Sequence, residues 1–368
     1  TFPIIPEHGF KSTAEAIKGD GAFIPMGSGQ YKCDSYNATD KLVLAPNENY
    51  HGEKAINTLT FEVMPGKENA YKLLETSGIS LMISKAMDRE TEIRNKSIKI
   101  ENFPMNEVEF LGFNFYRESL KKPEVRKAIA SAVNSESIIE ECYYNSGIVN
   151  DNLYFPNYMN VDSKQAAYTY DLQKASEYLK DAGYKEDATD GLLRDKNKNV
   201  LSMTILVNQT NEARVASAES IKRALTGIGI SVTVKAVDDA EYTSSLQKGE
   251  FDLYLGAYKY DEQMDMRILF GDSTYNYTGY QNKKLMELMN DMRSGASEET
   301  VKKDFEEIRK ILIEDLPYVT LLYKTYGAIK APALQGEVNP VFNNLYRDCG
   351  KWQCKYEVMP KAEEEKTK

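Results

Sequence analysis

The chain has 368 residues, of which 42% are hydrophobic and 28% charged, and its formal net charge is −10. A chain of this length and composition buries a substantial core in about two domains, so intrinsic disorder is excluded. Its negative charge repels phosphate backbones and anionic lipid headgroups, which argues against nucleic acid as a partner. No apolar run reaches the roughly 20 residues that cross a bilayer.

Histidine and cysteine are too scarce to suggest a metal site or a catalytic site. The sequence has two histidines and four cysteines. Four zinc ligands would require Cys33 and Cys142 to converge on the C-terminal pair Cys349 and Cys354. Two imidazoles also give a serine or cysteine nucleophile few possible bases. We therefore expect no metal, no cofactor and no catalytic residue, while the C-terminal pair fits either a local disulfide or two free thiols.

The first predicted elements are strands. Apolar and aromatic runs at residues 32–36 and 41–44 flank the turn-forming tetrapeptide Asn-Ala-Thr-Asp, which predicts a β-hairpin. Residues 59–63 alternate as a strand, residues 67–76 are compatible with a helix, and residues 79–83 are again apolar. This succession predicts a strand–helix–strand unit, which on a parallel sheet has a right-handed crossover.

From residue 123 onward the apolar spacing becomes helical. Pro123 suits the first position of a helix, and Val125 and Ile129 fall on one face, so we expect that face to be buried. A second helix is predicted from the N-cap residue Asp171 to the stop signal Gly183. Each of these two helices has a signal in the sequence at its start.

Helix and strand patterns alternate through the rest of the chain. The polar segment 186–200 imitates the start of a calcium loop, but Val200 stands where glycine is required, so a hairpin turn is predicted. The other predicted elements are helices at 212–226, 239–248, 282–293 and 298–315 and strands at 230–234, 251–255 and 318–323. Gly249 is the predicted stop of the helix at 239–248.

Five sequence blocks stand in an order that resembles one protein family. The blocks are GSGQYKCDSYNATDKLVLAPNENYHG at 27–52, LGFNFYRESLKKPEVRKAIASAVNSESII at 111–139, YDLQKASEYLKDAGY at 170–184, IGISVTVKAVDDAEYTSSLQKGEFDLYLGAYKYD at 228–261 and TGYQN at 278–282. In this order they resemble the extracellular solute-binding proteins of family 5, the oligopeptide and dipeptide receptors of ABC importers. Two positions depart from the family pattern: Gln30 replaces a usual proline and Asn134 a usual aspartate.

The resemblance implies an α/β, two-lobed periplasmic-binding-protein-like fold of type II, with mixed sheets and flanking helices. Residues 1–110 and 325–368 are expected to form part of the large lobe, and residues 111–324 the complete second lobe. The chain should cross between lobes near residues 110–114 and 324–330, where lobes of this kind close on a ligand. Family members carry a further N-terminal portion with the first strands of the large lobe and an inserted domain, so we expect a C-terminal fragment.

The function that the resemblance implies is that of an extracytoplasmic receptor, either periplasmic or a cell-surface lipoprotein. It would bind peptides between its lobes and deliver them to the ABC permease subunits in the membrane. Another solute on the same scaffold is an alternative: an oligosaccharide, which the 25 tyrosines would suit, or nickel, which the scarce histidines disfavour. A hydrolytic enzyme is a distant alternative, because no spacing shows a nucleophile with its base.

The resemblance also implies a set of ligand-binding residues. Asp261, at the strand end where the family places an aspartate, would pair with the α-ammonium of a peptide, unless it is a solvated loop acid. Tyr258 stands where the family often has tryptophan and would wall the pocket or pack in the core. Tyr280 and Asn282 follow a glycine that lets the backbone approach a ligand, with a packed ring and a helix cap as their alternatives. Asn114, on the crossing segment, would bind peptide backbone or stabilise the hinge.

Overall fold

The computed structural model describes residue 12 and residues 27–93, 95–162, 167–295 and 297–355. The chain divides into two compact units, Thr1–Phe103 with Tyr326–Lys368 and Pro104–Thr325. Two long strands, Lys99–Phe113 and Tyr318–Lys330, carry the chain from one unit into the other. The assignment of these units to a large lobe and a second lobe remains a prediction.

The first unit begins with a three-stranded antiparallel sheet. Its strands are β1 (Tyr31–Tyr36), β2 (Lys41–Pro46) and β3 (Leu59–Glu62), in that order. The predicted hairpin between β1 and β2 is confirmed, and in its turn the Asn37 side chain accepts a hydrogen bond from the backbone N–H of Thr39 (3.0 Å).

Helix α1 (Lys67–Glu75) and strand β4 (Leu81–Ser84) follow, but they do not form the predicted strand–helix–strand unit. That prediction is wrong because β3 is the edge of the three-stranded sheet, whereas β4 pairs antiparallel with residues 327–330 of another sheet. Apolar patterns at 59–63 and 79–83 correctly indicate strands. They carry no information about which strand pairs with which.

The remaining elements complete both units. In chain order they are α2 (Arg89–Glu92), β5 (Lys99–Phe113), α3 (Glu118–Lys121), α4 (Pro123–Ala132), α5 (Ser135–Tyr143), β6 (Gly147–Ile148), α6 (Leu172–Asp181), β7 (Lys185–Glu186), β8 (Leu193–Arg194), β9 (Ser202–Asn208), α7 (Glu212–Gly227), β10 (Ser231–Val237), α8 (Asp239–Lys248), β11 (Leu253–Lys259), α9 (Lys283–Asp291), α10 (Glu298–Asp315), β12 (Tyr318–Lys330), β13 (Leu334–Gln335) and β14 (Gln353–Cys354). The sequence analysis did not predict eight of these elements: α2, β5, α3, α5, β6, β9, β13 and β14.

The sheet of the second unit combines parallel and antiparallel strands. Its order is β10, β9, β11, β5 and β12, with β6 paired to β12. Strands β10 and β11 run parallel to β9, and β5 runs antiparallel to β11. Helices cover the parallel part, and the buried side chains of Ile129, Leu179 and Leu225 belong to one hydrophobic core.

Local signals fix the ends of several helices where the sequence predicts them. The Asp171 carboxylate accepts a hydrogen bond from the backbone N–H of Lys174 (2.9 Å), which caps α6. Gly249 ends α8 at φ 67°, a left-handed conformation that favours glycine. The hairpin turn predicted within residues 186–200 is also present: Arg194 and Val200 pair antiparallel, and between them Asp195 accepts from the backbone N–H groups of Asn197 and Asn199 (2.8 Å each).

All four cysteines are free thiols, so the alternative of a disulfide between Cys349 and Cys354 is not the one present. The Cys354 sulfur lies 3.0 Å from the Ser80 hydroxyl oxygen, and burial raises the pKa of the Cys349 thiol. In the part of the chain that the structure describes, no helix has the length and apolar character needed to cross a membrane.

The shared core of the second unit gives a first prediction. Leu225 is fully buried, and Leu225→Ala should lower the free energy of unfolding by about 2 to 5 kcal/mol, because it leaves a cavity that neighbours fill only in part. Arg223→Ala, an exposed change on the same helix, is the control and should cost less than about 0.5 kcal/mol. Chemical denaturation followed by circular dichroism measures both. Equal losses of unfolding free energy in the two variants would contradict the placement of Leu225 in the core.

Candidate functional site

The order of the parallel strands creates a reversal point in the second unit. From β9 the chain continues through α7 to β10 on one side. From β11 it continues through α9 and α10 to β12 on the other side. The connections therefore leave β9 and β11 in opposite directions, which makes the position between these two strands a topological switch point. Ligands of open α/β sheets bind outside the carboxyl ends of the strands at such a point. Here those ends are Asn208 and Lys259.

Asp261 begins the turn that follows β11, and its side chain is exposed. The Oδ1 atom accepts hydrogen bonds from the backbone N–H groups of Gln263 (3.0 Å) and Asp265 (3.4 Å), which fixes the carboxylate on its own turn. Among the residues that the structure describes, none makes a hydrogen bond or ion pair with Oδ2. One carboxylate oxygen is therefore available to a ligand.

Asp265 anchors the same turn through two arginines. Arg267 donates from Nε (3.0 Å) and Nη2 (2.8 Å) to the Asp265 carboxylate, and an Arg293 nitrogen lies 3.4 Å from it. The hydrogen bonds from Arg267 hold the pKa of Asp265 below its usual range. Arg293 also donates to the Gln263 side chain. The charge of Asp265 is thus compensated within the turn, whereas that of Asp261 is not.

Tyr258 holds the turn from the side of the strand. It is half-buried on β11, and its hydroxyl donates a hydrogen bond to the backbone carbonyl of Asp265 (2.7 Å). Its ring packs edge-on against Tyr260, with centroids 4.8 Å apart. Burial raises the pKa of the Tyr258 hydroxyl, so the group remains a hydrogen-bond donor. Tyr258 thus contacts the turn that carries Asp261, and a ligand contact by its ring remains a prediction.

The other three predicted site residues have partners inside the protein. Asn114 is only 1% exposed, and its Nδ2 donates to the carbonyl of Phe251 (2.8 Å). The buried Tyr280 hydroxyl donates to the Asp315 carboxylate, to which Asn282 Nδ2 also donates (3.0 Å). Asn282 in addition caps α9 through Oδ1 (3.1 Å). These contacts correspond to the hinge, packing and capping alternatives, and a ligand contact by these three residues remains a prediction.

Sequence reasoning missed a charged network near the carboxyl end of β9. Glu109, 1% exposed, accepts hydrogen bonds from Arg214 Nε (2.7 Å) and Nη2 (3.1 Å). Lys324 lies 2.8 Å from the same carboxylate. Burial alone would lower the pKa of Arg214, but the charge of Glu109 and the hydrogen bonds to it together outweigh burial and raise this pKa. The partners come from β5, α7 and β12, so no local motif could have indicated the network.

The fold is the type II fold of periplasmic binding proteins, which confirms the predicted class. The structure of the substrate-binding protein CtaP from Listeria monocytogenes superposes with a TM-score of 0.70 at 21% identity, covering 95% of this chain and 71% of that chain. The oligopeptide-binding protein AppA from Bacillus subtilis, in complex with a nonapeptide, superposes with a TM-score of 0.57 at 24% identity, covering 96% and 72%. Identities this low establish the fold alone.

The chain belongs to the bacterial extracellular solute-binding proteins of family 5, whose middle-region model matches residues 1–277. Bacillus subtilis oligopeptide-binding AppA is 27% identical over 89% of this chain, and the dipeptide-binding protein of Escherichia coli is 26% identical over 61%. The nickel-binding periplasmic protein of Escherichia coli is 27% identical over 64%. The chain spans 62%, 41% and 46% of these relatives, respectively. Members of the family are extracytoplasmic solute-binding proteins of transport systems rather than enzymes.

The arginine pairing of Asp265 predicts a specific pH dependence. Because the pKa of Asp265 is lower in the folded than in the unfolded chain, its stabilising contribution is complete above about pH 5 and is lost as the pH falls through the folded-state value. The stability difference between wild type and Asp265→Asn should therefore be largest near neutral pH and shrink in acid. Urea titrations at several pH values measure it. Glu262→Gln, an exposed neighbour, is the control, and a difference independent of pH would contradict the pairing.

Proposed function

We propose that this protein is the extracytoplasmic solute receptor of an ABC importer, periplasmic or anchored as a cell-surface lipoprotein, and that it binds peptides. It would release them to the permease subunits in the membrane. Membership of family 5 supports the class of receptor. The names of two relatives, an oligopeptide-binding and a dipeptide-binding protein, support peptides as the solute.

The peptide proposal rests on the carboxylate of Asp261, of which only one oxygen has hydrogen-bond partners in the described chain. Its Oδ1 is held by the turn, while Oδ2 has no partner in the described chain. A peptide α-ammonium is a cation with several N–H donors, and a charge-assisted hydrogen bond to a carboxylate is stronger than a neutral one. Asp265 is unsuited to this role because Arg267 and Arg293 already pair with it.

The fixed geometry of the turn also favours binding. Tyr258, Gln263 and Asp265 all hold the loop that carries Asp261, through a hydroxyl, a backbone N–H and a paired carboxylate. A side chain that is already in place loses little conformational entropy when a ligand arrives. The position at the carboxyl end of β11, beside the reversal of strand order, is where this class of sheet places ligands.

The test pairs a protein change with a ligand change. Asp261→Asn keeps an oxygen that can accept from Gln263 but removes the charge, and it should weaken binding of a tripeptide with a free N-terminus by about 10- to 100-fold. N-acetylation of the same peptide should weaken binding to wild type by a similar factor. It should weaken binding to the variant little further, because the two changes remove the same interaction. Isothermal titration calorimetry measures all four combinations.

Glu262→Gln, the adjacent exposed acid, is the matched control and should bind the tripeptide like wild type. Additive losses from Asp261→Asn and N-acetylation would show that the two groups do not meet. Equal affinity of wild type and Asp261→Asn would remove the residue from the site. Binding of nickel or haem with no detectable binding of any peptide would contradict the peptide proposal itself.

A further inference from the structure

The chain is held firmly at Tyr260, the residue between the end of β11 and Asp261. The Tyr260 N–H donates to the carbonyl of Asn106 on β5 (2.8 Å), and the Asn106 side-chain amide donates to the Tyr260 carbonyl. Both backbone polar groups of Tyr260 therefore have partners, and the chain cannot rotate at this residue without losing a hydrogen bond. The starting point of the Asp261 turn is thus set by β5.

The side chain of Tyr260 is anchored in the interior of the second unit. It is buried, and its hydroxyl donates to the backbone carbonyl of Leu153. Tyr323 of β12 is also buried and donates to the same carbonyl, and the two rings lie nearly parallel with centroids 6.3 Å apart. A carbonyl oxygen has two lone pairs, so one oxygen can accept from both hydroxyls. Burial raises the pKa of both tyrosines, which therefore remain protonated donors.

Leu153 belongs to a loop, residues 150–154, that is buried although its first three residues are polar. Asn150, Asp151 and Asn152 are 1%, 8% and 5% exposed. Polar side chains in such a place need hydrogen-bond partners, and a buried network in which every member is bonded is rigid. The hydrogen bonds of the loop therefore decide how firmly the Leu153 carbonyl is held.

Hydrogen bonds inside the loop fix the direction of the Leu153 carbonyl. The Asn150 side-chain amide donates to the carbonyls of Asn152 and Tyr154 (2.7 Å each), the residues on either side of Leu153. The Asn152 side-chain oxygen accepts from the backbone N–H of Tyr154 (2.6 Å), which closes a tight turn around Leu153. The Leu153 carbonyl itself is directed at the two tyrosine hydroxyls.

A second set of contacts attaches the loop to α10. Arg309 donates from Nε to the Asp151 carboxylate (2.9 Å). The ring of Tyr154 packs edge-on against Phe305 of the same helix, with centroids 5.0 Å apart. An ion pair and an aromatic contact thus hold the loop on α10. The position of Tyr260 therefore depends on α10 and β12 as well as on β5.

We propose that the buried loop 150–154 is a positioning element of the candidate site. Through the Leu153 carbonyl and the Tyr260 hydroxyl it fixes the turn that carries Asp261, and it thereby sets the affinity for the amino terminus of a peptide. This role rests on the proposed function, in which Asp261 receives the α-ammonium group. The loop acts without touching the peptide, because a carboxylate that is held in place before binding loses less conformational entropy than a mobile one.

Two hydroxyl deletions test this role, because they remove the same kind of hydrogen bond from the same carbonyl. Tyr260→Phe should weaken binding of the free tripeptide by about three- to tenfold and leave binding of its N-acetylated form nearly unchanged. Tyr323→Phe is the matched control. It should lower the urea midpoint of unfolding as Tyr260→Phe does, but it should bind both peptides like wild type, since Tyr323 belongs to β12 and not to the Asp261 turn.

Amide hydrogen exchange measured by NMR reports on the turn without any peptide. The N–H groups of Gln263 and Asp265 donate to Asp261 Oδ1. They should exchange about threefold faster or more in Tyr260→Phe and at the wild-type rate in Tyr323→Phe. Asn106→Ala, a half-buried change that removes the donor to the Tyr260 carbonyl, should also speed this exchange, and it tests the turn if Tyr260→Phe fails to fold.

Equal changes of affinity and exchange in Tyr260→Phe and Tyr323→Phe would overturn the proposal, because they would reflect a loss of stability alone. Wild-type exchange rates at Gln263 and Asp265 in both Tyr260→Phe and Asn106→Ala would overturn it as well. If N-acetylation does not weaken binding to wild type, the proposed function fails. In that case, faster exchange in Tyr260→Phe but not in Tyr323→Phe would still support the role of the loop in fixing the turn.

Discussion

The parallel pairing of β9 with both β10 and β11 is the constraint on which the candidate site depends. It brings the carboxyl ends of three strands to one edge of the sheet, although the chain visits them through two intervening helices. Since the chain leaves β9 and β11 toward opposite sides, the crevice in which sheets of this class bind ligands lies outside their ends. The turn that carries Asp261 begins there, and its position follows from the sheet rather than from the loop.

Electrostatics then distinguishes two acids that lie four residues apart. Asp265 has two arginine partners and serves to fix the turn, while Asp261 keeps one oxygen without a partner in the described chain. An exposed carboxylate of this kind makes little contribution to stability but is well placed to receive a cationic group. The buried network of Glu109 with Arg214 and Lys324 is the opposite case, because its charges compensate one another inside the protein.

Sequence patterns predicted the features that depend on local chemistry. The cap at Asp171, the glycine stop at Gly249 and the hairpin of β1 and β2 involve residues close in the chain, so their signals are complete within a short window. The partners of β3 and β4 depend on distant residues, and the prediction for them failed. Strand β9 escaped prediction because its buried residues Ile205, Leu206 and Val207 are consecutive and do not alternate with polar ones, as is common in parallel strands buried on both faces.

The candidate site shows the same contrast between features with a local sequence signal and features that depend on the fold. Asp261 emerged from the resemblance of one sequence block, whereas the contact of Tyr258 with the Asp265 carbonyl required the fold. The most direct test of the account is a crystal structure with a bound tripeptide, read as the distance from Asp261 Oδ2 to the peptide's N-terminal nitrogen. We expect about 2.7 to 3.0 Å, a charge-assisted hydrogen bond. A well-ordered peptide whose N-terminus contacts other residues and leaves Asp261 in solvent would contradict it.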